Sequence, residues 1–591
     1  MRCIRFAKTL VAFTVLAAAL SACVPLPPAA PPPATRDAST PGEIAPASPK
    51  VVEYNLGDAT IIQSHFPEDS RFRHMPVRLN GVIAVPPGSG GLYPVVVILH
   101  GTHAGCPIPD GDMVDRWPCA PEVEQPNYRG FAYLASELAA RGYVALSINI
   151  NAQNTFGFGE GQDGERLQQL VDLHLSALGK ASSGGPNAFS VDLKGRADLG
   201  RLALLGHSRG GDGAAWLVRS AGLGAPDVYA SKGYGPVAGL VLVAPPVIMP
   251  DATGADVPQL ILLPACDGDV TDQSGKHYLE ALRGAPEHHQ PATALWLERA
   301  NHNAFNTILP GDPFAESGRS DCEPLLAGAE QRDFLVASSA DFLTTIFSAD
   351  REARLDAAGR LGSDVRAPAP AELYGRPARV ATLSAGADRH LLFLPADEKE
   401  LATNRAGGSV SADGVTTFFC PEGYYTPFMR PGSEPCRRVN LTVPGQPAMA
   451  VISWDQLGAA LRFALPEGQG DLSQAAAISV RAAVDPLSPL NPAGKTQSFS
   501  VRLTDGAGKT ASVATRPAEP ALQFPPGVLE DDPLFAGGHF TGRVPMTTIR
   551  LPLSASTGVN LADIREMALV FDQTPSGSLF VGDVEWVRPQ S

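Results

Sequence analysis

Positive charge is in short supply. The 591 residues include 46 Lys and Arg against 61 Asp and Glu, a formal net charge of −15. A chain this acidic has no electrostatic hold on nucleic acid, and no such partner is expected. No two cysteines are spaced C-x-x-C and no two histidines H-x-x-x-H, so the usual zinc patterns are missing and neither a metal nor a cofactor is expected. Internal repeats are lacking too. The apolar run near the N-terminus, Thr9 to Leu20, is too short to cross a bilayer.

What is present points to several parts. A chain of 591 residues exceeds one ordinary core, and 55 prolines with 59 glycines imply many loops, a linker and a β-rich portion. Arg2, Arg5 and Lys8 ahead of the apolar run make a secretory signal at residues 1–22. It ends in Leu20, Ser21, Ala22 and Cys23, which resembles the bacterial lipobox; the resemblance implies that Cys23 is lipidated, anchoring an exported protein to the bacterial membrane or cell surface. Val24 after that cysteine suits the outer membrane of a Gram-negative host. A plain cleaved signal peptide is the alternative. Residues 23–50, rich in Pro, Ala and Thr, read as an extended tether.

Six further cysteines, an even number in an exported chain, suit three disulfides among fifteen possible pairings. Proximity favours Cys106 with Cys119 and Cys420 with Cys436, leaving Cys266 with Cys322.

From Val51 the pattern opens with two antiparallel strands, Ala59 to Phe66 and Pro76 to Pro86, and then alternates strand and helix. Buried strands are expected at 93–101, 143–150, 202–205, 239–244, 259–263 and 292–297, with helices near 131–138, 164–178 and 329–347. This predicts an α/β domain over 51–362 with a mostly parallel sheet. Residues 363–375 read as a linker. Over 376–591 short alternating runs between Gly and Pro turns predict an antiparallel β-sandwich of jelly-roll type, with 505–508 as a hairpin loop.

The stretch from Leu202 to Gly211 organises the first domain. Four apolar residues lead into Gly206-His-Ser-Arg-Gly210 and a run of small residues that starts a helix. This is a G-x-S-x-G nucleophile elbow: Ser208 occupies a sharp strand-to-helix turn, and Gly206 and Gly210 leave room for the bend. A serine hydroxyl needs a base within reach and an acid to orient that base. In the order this turn requires, Asp267 follows the strand at 259–263, with Asp269 as the alternative acid, and His302 follows the strand at 292–297. The amide of Arg209 and a second one after the strand at 93–101, from Thr102 or else His103, would form an oxyanion hole. His100 is expected to buttress that loop, His207 to pack beside the serine, and His174 to sit in the core.

Residues 51 to about 350 resemble the secreted bacterial α/β-hydrolases on three motifs: Gly206 to Gly211, Cys266 to Val270 and Asn301 to Asn306. More distantly the domain is similar to dienelactone-hydrolase-like, chlorophyllase-like and cutinase-like esterases. The resemblance implies a serine esterase with Ser208, His302 and Asp267 as its triad, acting on carboxylic esters without a cofactor. No long apolar insertion reads as a lid, although 151–164 forms a Gly-rich rim. The second domain resembles galactose-binding-like modules, which implies a glycan partner and, as an alternative activity, carbohydrate deacetylation. A non-catalytic surface protein on a hydrolase scaffold is the rival from another class.

Overall fold

The apolar runs at 95–99, 202–205, 240–243 and 260–263 form the buried middle strands of one large sheet. A computed structural model describes residues 49–589 apart from 89, 109–115, 156, 160–161, 226–231, 250–251, 286–289, 310–321, 422–447 and 533–534. The signal segment, Cys23, nearly all of the tether and Cys436 lie outside the described residues. In chain order the first part runs β1 (Val51–Ile62), β2 (His74–Ala84), β3 (Tyr93–Leu99), α1 (Ala132–Ala140), β4 (Val144–Ile148), α2 (Asp163–Ser182), β5 (Ala197–His207), α3 (Arg209–Arg219), β6 (Val237–Val243), β7 (Gln259–Pro264), α4 (His277–Arg283), β8 (Ala292–Leu297), α5 (Gly328–Phe347), α6 (Arg351–Arg360), β9 (Glu372–Leu373) and β10 (Arg376–Leu383).

These strands form a ten-stranded sheet in the order β1-β2-β4-β3-β5-β6-β7-β8-β10-β9. The middle, from β4 through β8, is parallel, and both edges are antiparallel. The sheet is therefore mixed. The expectation of a mostly parallel sheet holds only for its centre, because residues assigned by sequence to a linker and a second domain add two antiparallel strands beyond β8. Side chains alternate between the faces as strand geometry requires. Val95, Val97 and Leu99 of β3 join the core beneath α2 and α3, with Leu167, Leu170 and Leu217. Val96 and Ile98 join the opposite core, with Leu134 of α1 and Phe334 and Leu343 of α5.

After β10 the chain is built of antiparallel sheets. One has six strands, including 449–454, 477–484 and 577–587; another has five, including 459–464, 500–505 and 564–571. Ile452, Val480 and Leu579 of the first share one cluster with Leu461, Val501 and Leu569 of the second. Trp454 belongs to that core: it is 2% exposed and stacks on Phe571 at a centroid distance of 4.1 Å.

Disulfides join Cys106 to Cys119 and Cys266 to Cys322. Cys420 is also disulfide-bonded.

Candidate active site

The turn between β5 and α3 carries Ser208 at φ 55° and ψ −132°, a left-handed conformation that costs a non-glycine residue free energy and needs support from its surroundings. The support is steric and hydrogen-bonded. A Cβ on Gly206 would lie 2.2 Å from the carbonyl oxygen of Gly210, and one on Gly210 would lie 2.4 Å from that of His100. Only hydrogen fits at either position. The Ser208 amide donates to Val243 O at 2.8 Å, and its carbonyl accepts from Gly211 N at 2.8 Å, which begins α3. The Arg209 side chain pairs with Asp163 at 2.7 Å.

Asp267 follows the C-terminal end of β7, at the sheet edge where open α/β folds build their sites. Its loop is held by the Cys266 amide, which donates to Ala300 O at 2.8 Å, and by the Cys266–Cys322 disulfide. Asp267 Oδ1 accepts from the amides of Asp269 at 2.9 Å and Val270 at 2.7 Å. Both of its oxygens face His302 Nδ1, at 3.0 and 2.9 Å, so the ring donates its Nδ1–H to a fixed carboxylate. Asp269 faces the other ring nitrogen: its Oδ2 lies 3.5 Å from His302 Nε2, on a side chain 64% exposed.

The loop holding His302 is pinned from two sides. His207 Nε2–H donates to the carbonyl of His302 at 3.0 Å, and Gln331 of α5 accepts from the Asn301 amide at 3.0 Å while donating to Leu326 O at 2.9 Å. His207 and His302 rings lie 4.9 Å apart by centroid. Sequence placed His207 beside the serine as a packing residue; its hydrogen bond to the His302 backbone was not foreseen. Gln331 and Asp163 carried no local signal, since each acts on a loop far away in sequence.

On the opposite side of Ser208 runs the loop after β3. His100 Nδ1–H donates to Gly101 O at 2.8 Å, and His100 Nε2 accepts from the Ile150 amide at 3.0 Å. This arrangement suits a neutral ring, and burial pushes the His100 pKa down to about 4. A Cβ on Gly101 would meet Ser208 Cβ at 2.8 Å, His103 Nε2 at 2.9 Å and His207 Nδ1 at 3.3 Å. Gly101 is thus the point on which Ser208 and two histidines converge. Thr102 Oγ1 and His103 Nε2 are buried there without hydrogen-bond partners. His174, by contrast, is a core residue, 1% exposed with its Nδ1 2.9 Å from the Tyr54 hydroxyl.

Ser208 and His207 both approach Gly101, His207 bonds the His302 carbonyl, and His302 pairs with Asp267, so His207 links the strand-to-helix turn to the His–Asp pair. Among the described residues no cluster of three His, Cys, Asp or Glu side chains could hold a metal. No protein-family model and no curated protein matches the chain.

Proposed function

We propose that this protein is a serine hydrolase of carboxylic esters, its large mixed sheet an α/β-hydrolase fold and its C-terminal sheets a jelly-roll sandwich. The observation that carries the reading is the pairing of buried His302 with both oxygens of Asp267, alongside a serine held in a strained strand-to-helix turn. In a serine triad this pairing orients the imidazole and fixes the tautomer in which Nε2 acts as the base.

In the proposed reaction Ser208 Oγ attacks the ester carbonyl carbon while His302 Nε2 takes its proton, and Asp267 stabilises the imidazolium. The amides of Arg209 and Thr102 donate to the tetrahedral oxyanion. The intermediate expels the alcohol, which receives the proton from His302, leaving an acyl-Ser208. Water then attacks the acyl carbon, gives a proton to His302, and the acid leaves as Ser208 recovers its proton. None of these steps calls for a metal or organic cofactor. The disulfides support an extracytoplasmic location, in keeping with the export and lipid anchoring expected from residues 1–23.

The test is hydrolysis of p-nitrophenyl esters from two to sixteen carbons by wild-type protein and Ser208→Ala. Loss of about 10³- to 10⁶-fold in kcat with an unchanged circular dichroism spectrum is expected. Equal rates for the two proteins would remove Ser208 as nucleophile. The chain-length profile identifies the acyl group accepted.

A further inference from the structure

The loop after β3 contains a polar side chain that the catalytic scheme above does not use. His103 lies one residue beyond the expected amide donor, yet its ring folds back over Gly101, so that Nε2 and Ser208 Cβ lie within 3 Å of the same point. Gly101 has no side chain to separate them. The rest of His103 is fixed: Asn127 Nδ2 lies 3.5 Å from its carbonyl oxygen, and its ring stacks beside His207 at 6.0 Å. Nε2 itself is buried with no hydrogen-bond partner. A buried polar atom left without a partner costs about 1–3 kcal/mol, and a polar group bound beside Ser208 would relieve that cost.

We propose that His103 is a further catalytic residue, donating Nε2–H to the tetrahedral oxygen that forms at Ser208, as the third donor beside the amides of Arg209 and Thr102. An oxyanion has three lone pairs and accepts three such bonds, and a donor aimed at the charge that develops in the transition state raises kcat more than it lowers KM. Burial, with smaller contributions from His100 and His302, pushes the His103 pKa down to about 3. The ring therefore stays neutral while the enzyme works, and it does not compete with His302 for the proton of Ser208. A neutral imidazole can polarise a carbonyl oxygen in this way. The inference rests on the hydrolase reading.

The experiment compares wild type, His103→Gln and His103→Phe on a short p-nitrophenyl ester and in the rate of inactivation by a fluorophosphonate. In that second reaction Ser208 Oγ displaces fluoride from phosphorus, His302 accepts the serine proton, and the phosphoryl oxygen enters the same hole. His103→Phe keeps the bulk but has no donor, and is expected to lose about 100-fold in kcat and in inactivation rate, with KM and the pH profile unchanged. His103→Gln can place an amide N–H near the Nε2 position and should recover most of the loss. Wild-type rates in His103→Phe would overturn the inference, as would a pH profile displaced in that variant, which would make His103 a base. So would a loss confined to KM, or a His103→Gln variant as slow as the phenylalanine. If wild type neither hydrolyses esters nor takes up the fluorophosphonate, the hydrolase reading fails and this inference with it. Labelling of wild type and His103→Phe at equal rates sinks this inference alone.

Discussion

Two carboxylates lie within reach of His302, and the ring nitrogen that each one faces separates their roles. Asp267, with a side chain 2% exposed, accepts Nδ1–H, whereas Asp269 approaches Nε2 with a side chain 64% exposed. Asp267→Asn frees the imidazole to take the wrong tautomer, and kcat should fall about 10⁴-fold. Asp269→Asn removes a charge that water already screens, and kcat should stay within about threefold. Steady-state hydrolysis of p-nitrophenyl acetate measures both; a collapse in Asp269→Asn with Asp267→Asn intact would exchange the two assignments. Asp267 was legible in the sequence because a carboxylate just after a buried strand lands at the sheet edge. What was not legible is what holds His302 still, since the His207 bond to its carbonyl spans 95 positions and Gln331 is one glutamine on a distant helix.

Helix α3 begins at the Ser208 turn, and its first turn is tied to the loop after β6 and to α4 by one carboxyl group. Asp212 accepts from the Met249 amide at 2.8 Å and the Ile248 amide at 3.3 Å, and lies 2.6 Å from the Tyr278 hydroxyl. That hydroxyl is also 2.9 Å from Pro246 O. One phenolic proton cannot serve both oxygens, so a proton on Asp212 allows both contacts to be hydrogen bonds. Burial raises the Asp212 pKa to about 6, against the lowering effects of its hydrogen bonds and of Arg209. An unfolded aspartate titrates near ~3.9, so the native chain holds a proton between those two values that the unfolded chain has released. Stability from this group consequently falls as pH rises from about 4 to about 6. In Asp212→Asn the carbonyl can take the two amides while the new N–H donates to Tyr278, whose proton then goes to Pro246. The variant should be more stable than wild type at pH 7.5 by about 1–2 kcal/mol, with the gap closing at pH 4. Urea unfolding at both pH values checks this, and a less stable variant at pH 7.5 would refute it. Of the elements around this site, β6 and the start of α3 were readable from their apolar or small-residue runs, whereas α4, seven residues long, was too short to show a period. Helix α6 was missed because its charged sequence has no apolar stripe; it is started instead by the Asp350 cap on the Glu352 amide, at 2.9 Å. Strand β10 was missed because its pairing partner, β8, is about 80 residues earlier, a contact that local pattern does not encode.

At the scale of the molecule, the boundary expected between two domains is a shared structure. Strand β10 lies beyond the expected linker yet completes the large sheet, pairing Ala378 with Leu297 and Leu383 with Ala292. It also ties that sheet to the later ones: Arg379 donates to Pro520 O at 2.8 Å, and the Thr382 amide to Thr548 Oγ1 at 2.9 Å. A second tie is ionic and buried. Glu280 and Arg283 of α4 meet Arg481 and Asp583 of the six-stranded sheet, all with side chains at most 3% exposed. Arg283 lies 2.8 Å from Glu280 and 3.6 Å from Asp583, and Arg481 lies 3.5 Å from Asp583 while bonding Glu280. Linker composition could mark where the chain crosses over, but it carries no information about which distant charges cancel there. The balance of two acids and two bases makes a definite expectation. Arg481→Met leaves two buried carboxylates with one guanidinium, and should destabilise the chain by about 3–5 kcal/mol, the range for breaking a buried pair from one side. Arg481→Met with Asp583→Asn restores neutrality around the Glu280–Arg283 pair and should recover part of that loss, so a double variant more stable than the single one is the decisive comparison. Guanidinium unfolding of the full chain reads both; a single variant as stable as wild type would mean that the two parts are held together by β10 and the apolar contacts alone.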